Sequence, residues 1–128
     1  MVFKARTRGN TKAAGDAAEA RALAFLQSQG LVLVERNHRV ARGPGSRGGE
    51  IDLILRERDG TLVFVEVRTR RNAAHGGAAA SIGAAKRRAL VFAAQCYLMQ
   101  LDRLPPCRFD VIAEQGEKMV WLQAAFSD

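Results

Sequence analysis

The residues best equipped for chemistry in this chain are carboxylates set inside two apolar runs. Glu50-Ile51-Asp52-Leu53-Ile54-Leu55 and Leu62-Val63-Phe64-Val65-Glu66-Val67-Arg68 flank the turn Arg58-Asp59-Gly60. Runs of strand length, rich in Ile, Val and Leu and separated by a Gly-containing turn, predict a β-hairpin. With a three-residue loop and Gly60 in the left-handed position, Glu57 faces Thr61 and the pairs follow in order. One face then carries Ile51 opposite Val67, Leu53 opposite Val65 and Leu55 opposite Val63. The other carries Ile54 opposite Phe64, then Asp52 opposite Glu66, then Glu50 opposite Arg68. A two-residue loop would set apolar residues against charged ones, so the patterning selects the longer loop.

Like charges directly opposite on a sheet are destabilising. If Asp52 and Glu66 are partly buried, one pKa rises strongly unless a cation sits between them. Magnesium is such a cation, held by one or two carboxylates and keeping waters for a phosphate-bearing substrate. The alternative is an edge hairpin whose inward charges discourage aggregation, with Glu50 paired to Arg68 and the other acids solvated. Spacing alone leaves both open.

The elements that must position these residues follow from periodicity. Ala13 to Gln29 predicts a helix, capped at Asn10 or Thr11, with a stripe of Ala18, Ala22, Phe25 and Leu26 widened by Leu23, and stopped by Gly30. Glu19 borders that stripe and either reaches toward a sheet face or leaves a surface arrangement in which Arg21 pairs with Glu19 or Asp16. Leu31 to Glu35 is a short strand that continues in polar form through Arg39, with His38 at the surface or at the strand end. Ala41 to Gly49 is a flexible loop carrying Arg42 and Arg47, and Thr69 to Ala80 is a second mobile segment carrying Arg70 and Arg71. Ser81 caps a helix with the stripe Ile82, Ala85, Ala89, Phe92, Ala93 and Cys96, and Lys86 borders it. Its N-terminus together with Lys86 can hold a phosphate. Pro105-Pro106 ends the helical region. Two strands follow, one alternating from Cys107 to Glu114 with Asp110 outside the site, the other around Lys118 to Leu122, with Trp121 and Phe126 packing the C-terminus down. The order is α-β-β-β-α-β-β, a mixed sheet flanked by helices.

At 128 residues the chain has one-domain size, with 48% hydrophobic and 26% charged residues. Residues 1–11 read as a mobile basic arm and 12–128 as a single domain. Twenty Lys and Arg against thirteen Asp and Glu give +7, which suggests a polyanionic partner, nucleic acid or an anionic membrane surface, the alternative being a generically solvated surface. Fourteen of the twenty bases fall in the segments 4–12, 36–47, 68–71 and 86–88, and this clustering selects nucleic acid. Cys96 and Cys107 form no zinc motif and are expected as buried free thiols. With no signal peptide and no apolar run long enough to span a bilayer, the chain is expected in the cytoplasm, away from membranes.

Asp52 followed by Glu66-Val67-Arg68, between a helix bearing Glu19 and a helix bearing Lys86, resembles the PD-(D/E)xK nuclease core. The whole chain is similar to the YraN-like family of small bacterial proteins, endonuclease-like and related to Holliday-junction resolvases. The matching pieces are Gly15 to Glu19 with Phe25-Leu26, Arg36-Asn37, Gly49 to Ile54, Val63 to Arg68, Ser81-Ile82 with Lys86, and Arg108 to Ala113. The resemblance implies a restriction-endonuclease-like three-layer α/β fold and hydrolysis of phosphodiester bonds of DNA, branched DNA included. It further implies Mg2+ or Mn2+ held by Asp52, Glu66 and the Val67 carbonyl, with Glu19 joining through water. The ion would polarise the scissile phosphate and activate the attacking water. Arg68 stands where the family's signature has lysine; it can stabilise charge but not act as base, and Lys86 takes the lysine role. Arg42, Arg47, Arg70, Arg71, Ser81 and Arg87 would contact the nucleic acid, DNA rather than RNA, and a homodimer is compatible with this reading. The alternative is a non-catalytic nucleic-acid-binding module that keeps the fold.

Overall fold

The computed structural model describes residues 2–41, 48–70 and 82–127, with the backbone alone for 2–11 and for Arg70. The order is α1 (Val2–Ser28), β1 (Val32–Val40), β2 (Gly49–Arg56), β3 (Leu62–Arg70), α2 (Ala84–Leu98), β4 (Cys107–Gln115) and β5 (Lys118–Phe126). The sheet runs β1-β2-β3-β4-β5. Only β3 and β4 are parallel, because α2 carries the chain back between them. The mixed sheet and the element order are those expected from the periodicity.

The two helices cover opposite faces. Ala22, Leu26 and Leu31 pack with Leu53, Leu55, Val63, Val65 and Ile112 on the α1 side. Leu90, Ala93, Ala94 and Tyr97 of α2 pack with Ile51, Ile54, Leu62, Phe64 and Phe109 on the other. Central strands β3 and β4 are therefore buried on both faces, which explains why their sequences read as near-continuous apolar runs.

The hairpin loop is the three-residue one. Glu57 N–H donates to the Thr61 carbonyl at 2.9 Å, Gly60 has φ 93°, and Leu53↔Val65, Ile54↔Phe64 and Leu55↔Val63 pair as expected. Helix α1 ends in a Schellman motif: Gly30, at φ 97°, donates to the Gln27 carbonyl and Leu31 to the Leu26 carbonyl.

Several expectations are corrected. Helix α1 begins at Val2, not near Ala13, so neither Asn10 nor Thr11 caps it; the helical backbone passes through the segment read as a basic arm. The cap of α2 is Gly83, without a side-chain hydrogen bond, and Ser81 lies outside the described residues. The buried stripe of α2 is Leu90, Ala93, Ala94 and Tyr97. Ile82 precedes the helix and packs against Val111 and Ala113 instead. The stripe inferred from sequence followed alanine spacing, and alanine carries little directional signal. Cys107 is exposed and Cys96 half-buried, and neither is in a disulfide among the described residues.

Asp110 is fully buried in β4. Its carboxylate accepts from Arg108 Nε at 3.0 Å, Trp121 Nε1 at 2.9 Å and the Ala124 N–H at 2.9 Å, at a register shift between β4 and β5. Arg108 also bonds Glu57. A buried carboxylate is tolerated only when hydrogen bonds and a cation satisfy it, as here. Trp121 in turn meets Phe25 edge-on at 5.9 Å, and Phe126 stacks on Phe109 at 4.9 Å. These contacts fasten β5 down as expected of the two aromatics.

The approach of α2 to β2 requires a residue without a side chain at position 49. A Cβ on Gly49 would lie 2.2 Å from the Ala89 carbonyl oxygen and 3.0 Å from the Ala93 methyl. Backbone cannot yield cheaply at that distance, so Gly49→Ala is expected to lower unfolding stability by about 1–3 kcal/mol, measured by urea denaturation against wild type.

Candidate metal and phosphate site

The site begins where strand pairing stops. From Arg56↔Leu62 to Leu53↔Val65 the hairpin forms a regular ladder. Beyond it the Val67 N–H donates to Asp52 Oδ2 at 2.9 Å. A side chain thus occupies the place of a backbone acceptor, and the strands part around it.

The same point breaks the facing of β2. Ile51 belongs to the α2-side cluster and Leu53 to the α1-side cluster, so the expected apolar face of Ile51, Leu53 and Leu55 loses Ile51. Glu50 is bonded by Arg39 of β1 at 2.5 Å, on the side away from β3, in place of the expected pairing with Arg68.

Glu66 continues the alternation Leu62, Phe64 and faces α2. It is 4% exposed. Arg68 Nη1 lies 3.5 Å and Lys86 Nζ 3.8 Å from its Oε2, while its Oε1 is buried and meets no donor. The structure therefore brings Asp52, Glu66, Arg68 and Lys86 together as the sequence predicted, with Lys86 in the first turn of α2.

Burial, more than any neighbour, raises the Glu66 carboxyl to about 8. The Asp52 charge and a hydrogen bond with Asp52 push the same way, against Lys86 and Arg68. Two cations at 3.5 and 3.8 Å do not offset desolvation plus one like charge. Asp52 is also raised, by burial first and by Glu50 in part, while the Val67 N–H, Glu66 and Lys86 favour its charged form. Burial and their mutual repulsion thus hold the carboxyls of the pair above the usual carboxylate range.

Glu19 approaches from α1. Its pKa is raised by burial, then by Asp52, Asp16 and Glu50, with Arg36 opposing. Its Oε1 is buried without a donor. The expected surface pairing of Arg21 with Glu19 or Asp16 does not form. Arg21 clamps Glu114 of β4 at 2.5 and 2.7 Å, holding that carboxyl below its usual range, and Asp16 takes Lys12 at 3.6 Å.

The remaining expected contacts divide. Arg42, Arg47, Arg71 and Ser81 lie outside the described residues, as does the side chain of Arg70. Arg87 is exposed, with its guanidinium 5.7 Å from the centroid of the Phe126 ring. His38 is not a surface histidine: it packs edge-on against Tyr97 at 5.3 Å and its Nδ1 meets Glu35 Oε2 at 2.5 Å. Among the described residues no group of three or more His, Cys, Asp and Glu side chains converges closely enough to hold an ion. A cation here would take two carboxylates and complete its shell with backbone and water, as magnesium does. The buried Glu66 oxygen, without a donor among the described residues, fits such an ion, while Glu19 keeps a like oxygen on the α1 side. Sequence reasoning named Asn37 only within the family resemblance and gave it no role; it stands across from Asp52 with φ 53°. The available signal was an asparagine inside a strand-forming segment.

The fold and site define a three-layer α/β protein with a desolvated acidic pair flanked by two cations. The profile of the uncharacterised protein family UPF0102 matches residues 18–113. A UPF0102 protein of Methylibium petroleiphilum is 63% identical over 116 residues, covering 91% of this chain and 95% of that one. Another from Paracidovorax citrulli is 62% identical over 122 residues, 95% and 88% of the two chains, and one from Burkholderia pseudomallei 53% identical over 121 residues, 94% and 80%. The chain belongs to the UPF0102 family, the YraN-like group that its motifs resemble. No helix among the described residues is long and apolar enough to cross a membrane.

The raised Glu66 pKa carries a sign that can be measured. The folded state keeps a proton that the unfolded chain releases near 4.5, so the stability due to protonated Glu66 is complete below 4.5 and lost as pH rises toward about 8. Unfolding free energy from urea titrations is expected to fall across that window in wild type. Glu66→Gln, which cannot ionise, is expected to flatten the fall.

Proposed function

We propose that this protein is a magnesium- or manganese-dependent endonuclease that hydrolyses phosphodiester bonds of DNA, branched DNA being the preferred class. The observation that carries this reading is the pair of half-buried Asp52 and buried Glu66 in contact, with a Glu66 carboxylate oxygen that meets no donor among the described residues, beside Arg68 and Lys86. Two desolvated acids in contact are unfavourable in isolation, and an ion between them relieves both.

Asp52 and Glu66 would hold the ion, with Glu19 orienting its water from the α1 side. When bound, the ion would supply Lewis acidity toward phosphate and a nucleophile at neutral pH. The rest of the chemistry falls to the chain's own groups. Lys86 sits where the free N–H groups of the first turn of α2 favour an anion, so it would orient the phosphate and neutralise its developing charge. Arg68 offers a fixed fork of donors for the same charge and takes no proton. The net charge of +7 supports salt-sensitive, largely sequence-independent binding of the backbone.

A second reading, a nucleic-acid-binding module without catalysis, is favoured by one observation: both cations already lie within ion-pair distance of Glu66, which gives the acidic pair counter-charges without a metal. The two readings separate in calorimetry and in a cleavage panel of linear, flapped and four-way DNA. A nuclease is expected to bind Mn2+ with a heat that disappears in Asp52→Asn, and to lose cleavage by at least about a hundredfold in Glu66→Gln. DNA binding that survives EDTA, with no cleavage by wild type in Mg2+ or Mn2+, supports the second reading instead.

A further inference from the structure

Asn37 has φ 53°, a left-handed backbone in the middle of β1. It lies between Arg36, which pairs with Leu53, and His38, which pairs with Ile51, and so stands directly across from Asp52. Side chains two apart on a strand share a face. Leu53 nonetheless packs on the α1 side and Ile51 on the α2 side, so the alternation of β2 reverses at Asp52. It reverses on β1 as well: Glu35 and His38, three residues apart, meet on one side, where His38 also packs on Tyr97. The reversal on both strands coincides with the left-handed residue.

In an unbroken strand Asp52 would stand beside Ile54 on the α2 face. At the reversal its carboxylate lies along the sheet instead, where it takes the Val67 N–H. The Asn37 side chain is exposed and makes no hydrogen bond among the described residues. What its position demands is therefore a backbone conformation, which asparagine and glycine adopt far more readily than alanine or β-branched residues. We infer that Asn37 is a positioning residue, whose left-handed backbone reverses β1 and β2 together and so aims the Asp52 carboxylate at β3 and Glu66. Its functional weight rests on Asp52 being a site residue, but the geometric link stands apart from any activity.

The test reads that link directly. Amide hydrogen exchange of Val67 is followed by NMR in wild type, Asn37→Gly, Asn37→Ala and Asn37→Val, with the Trp121 indole N–H, bound to Asp110 in another part of the fold, as the reporter of intact folding. Asn37→Gly is expected to leave Val67 exchange within about twofold of wild type, whereas Ala and Val speed it by about tenfold or more, the loss of a charge-assisted bond. If the Val variant loses the Trp121 signal, the milder Ala variant carries the comparison. Rescue by glycine separates a backbone role from loss of the side chain. Wild-type exchange in Asn37→Ala, or fast exchange in a folded Asn37→Gly, overturns the inference. Mn2+ calorimetry on the same samples keeps the two readings distinct: a wild type that binds no Mn2+ removes the metal site, while the Val67 amide still decides the role of Asn37.

Discussion

One hydrogen bond organises this molecule around its acidic pair. The Val67 N–H, which a neighbouring strand would ordinarily satisfy, is taken by the carboxylate of Asp52. A backbone donor inside a sheet must find an acceptor, and a charged acceptor makes a shorter and stronger bond than a carbonyl. The substitution lets β2 and β3 part without leaving an orphaned amide. It also draws Asp52 out of solvent toward Glu66, and from that the unusual electrostatics follow.

Those electrostatics reduce to a contest of magnitudes. Arg68 and Lys86 stand 3.5 and 3.8 Å from Glu66, near enough for each to favour ionisation appreciably. The Glu66 carboxyl is nevertheless pushed up to about 8, so desolvation and the Asp52 charge together prevail. That rise is the price of burial without a counterion strong enough to offset it. A divalent ion acts at shorter range and with twice the charge, which is why the arrangement suits a metal better than the monovalent cations beside it.

The buried acid of β4, paired in register with Val65, is built on another economy. Asp110 is as buried as any core residue, yet Arg108, Trp121 and the Ala124 amide use up its acceptor capacity. Asp110 is thus a fully satisfied carboxylate that ties β4 to β5, whereas Glu66 and Glu19 each keep a buried oxygen with no donor. Satisfaction, more than burial, separates the acid that holds the fold from the acids available to a ligand. Gly49 joins these regions mechanically, since its missing side chain lets α2 settle against β2 and so fixes where Lys86 can reach.

The sequence by itself determined the hairpin, its three-residue loop and the placing of Asp52, Glu66 and Arg68 at one end of it, whereas the approach of Lys86 to Glu66 is a tertiary contact. It also determined the Gly30 stop of α1 and the element order. These are local or short-range matters, set by period-2 alternation and by turn residues that tolerate few conformations. Only the tertiary structure decided that α1 begins at Val2, that α2 buries Leu90, Ala93, Ala94 and Tyr97, that Arg21 clamps Glu114, and that Asp110 is a core residue. Polar partners more than ninety positions apart leave no trace in periodicity, and an alanine-rich helix offers several equivalent stripes until a sheet selects one. The reversal at Asn37 and Asp52 was the least legible feature, because alternation arguments assume an unbroken strand and a left-handed residue ends that assumption without changing the composition around it.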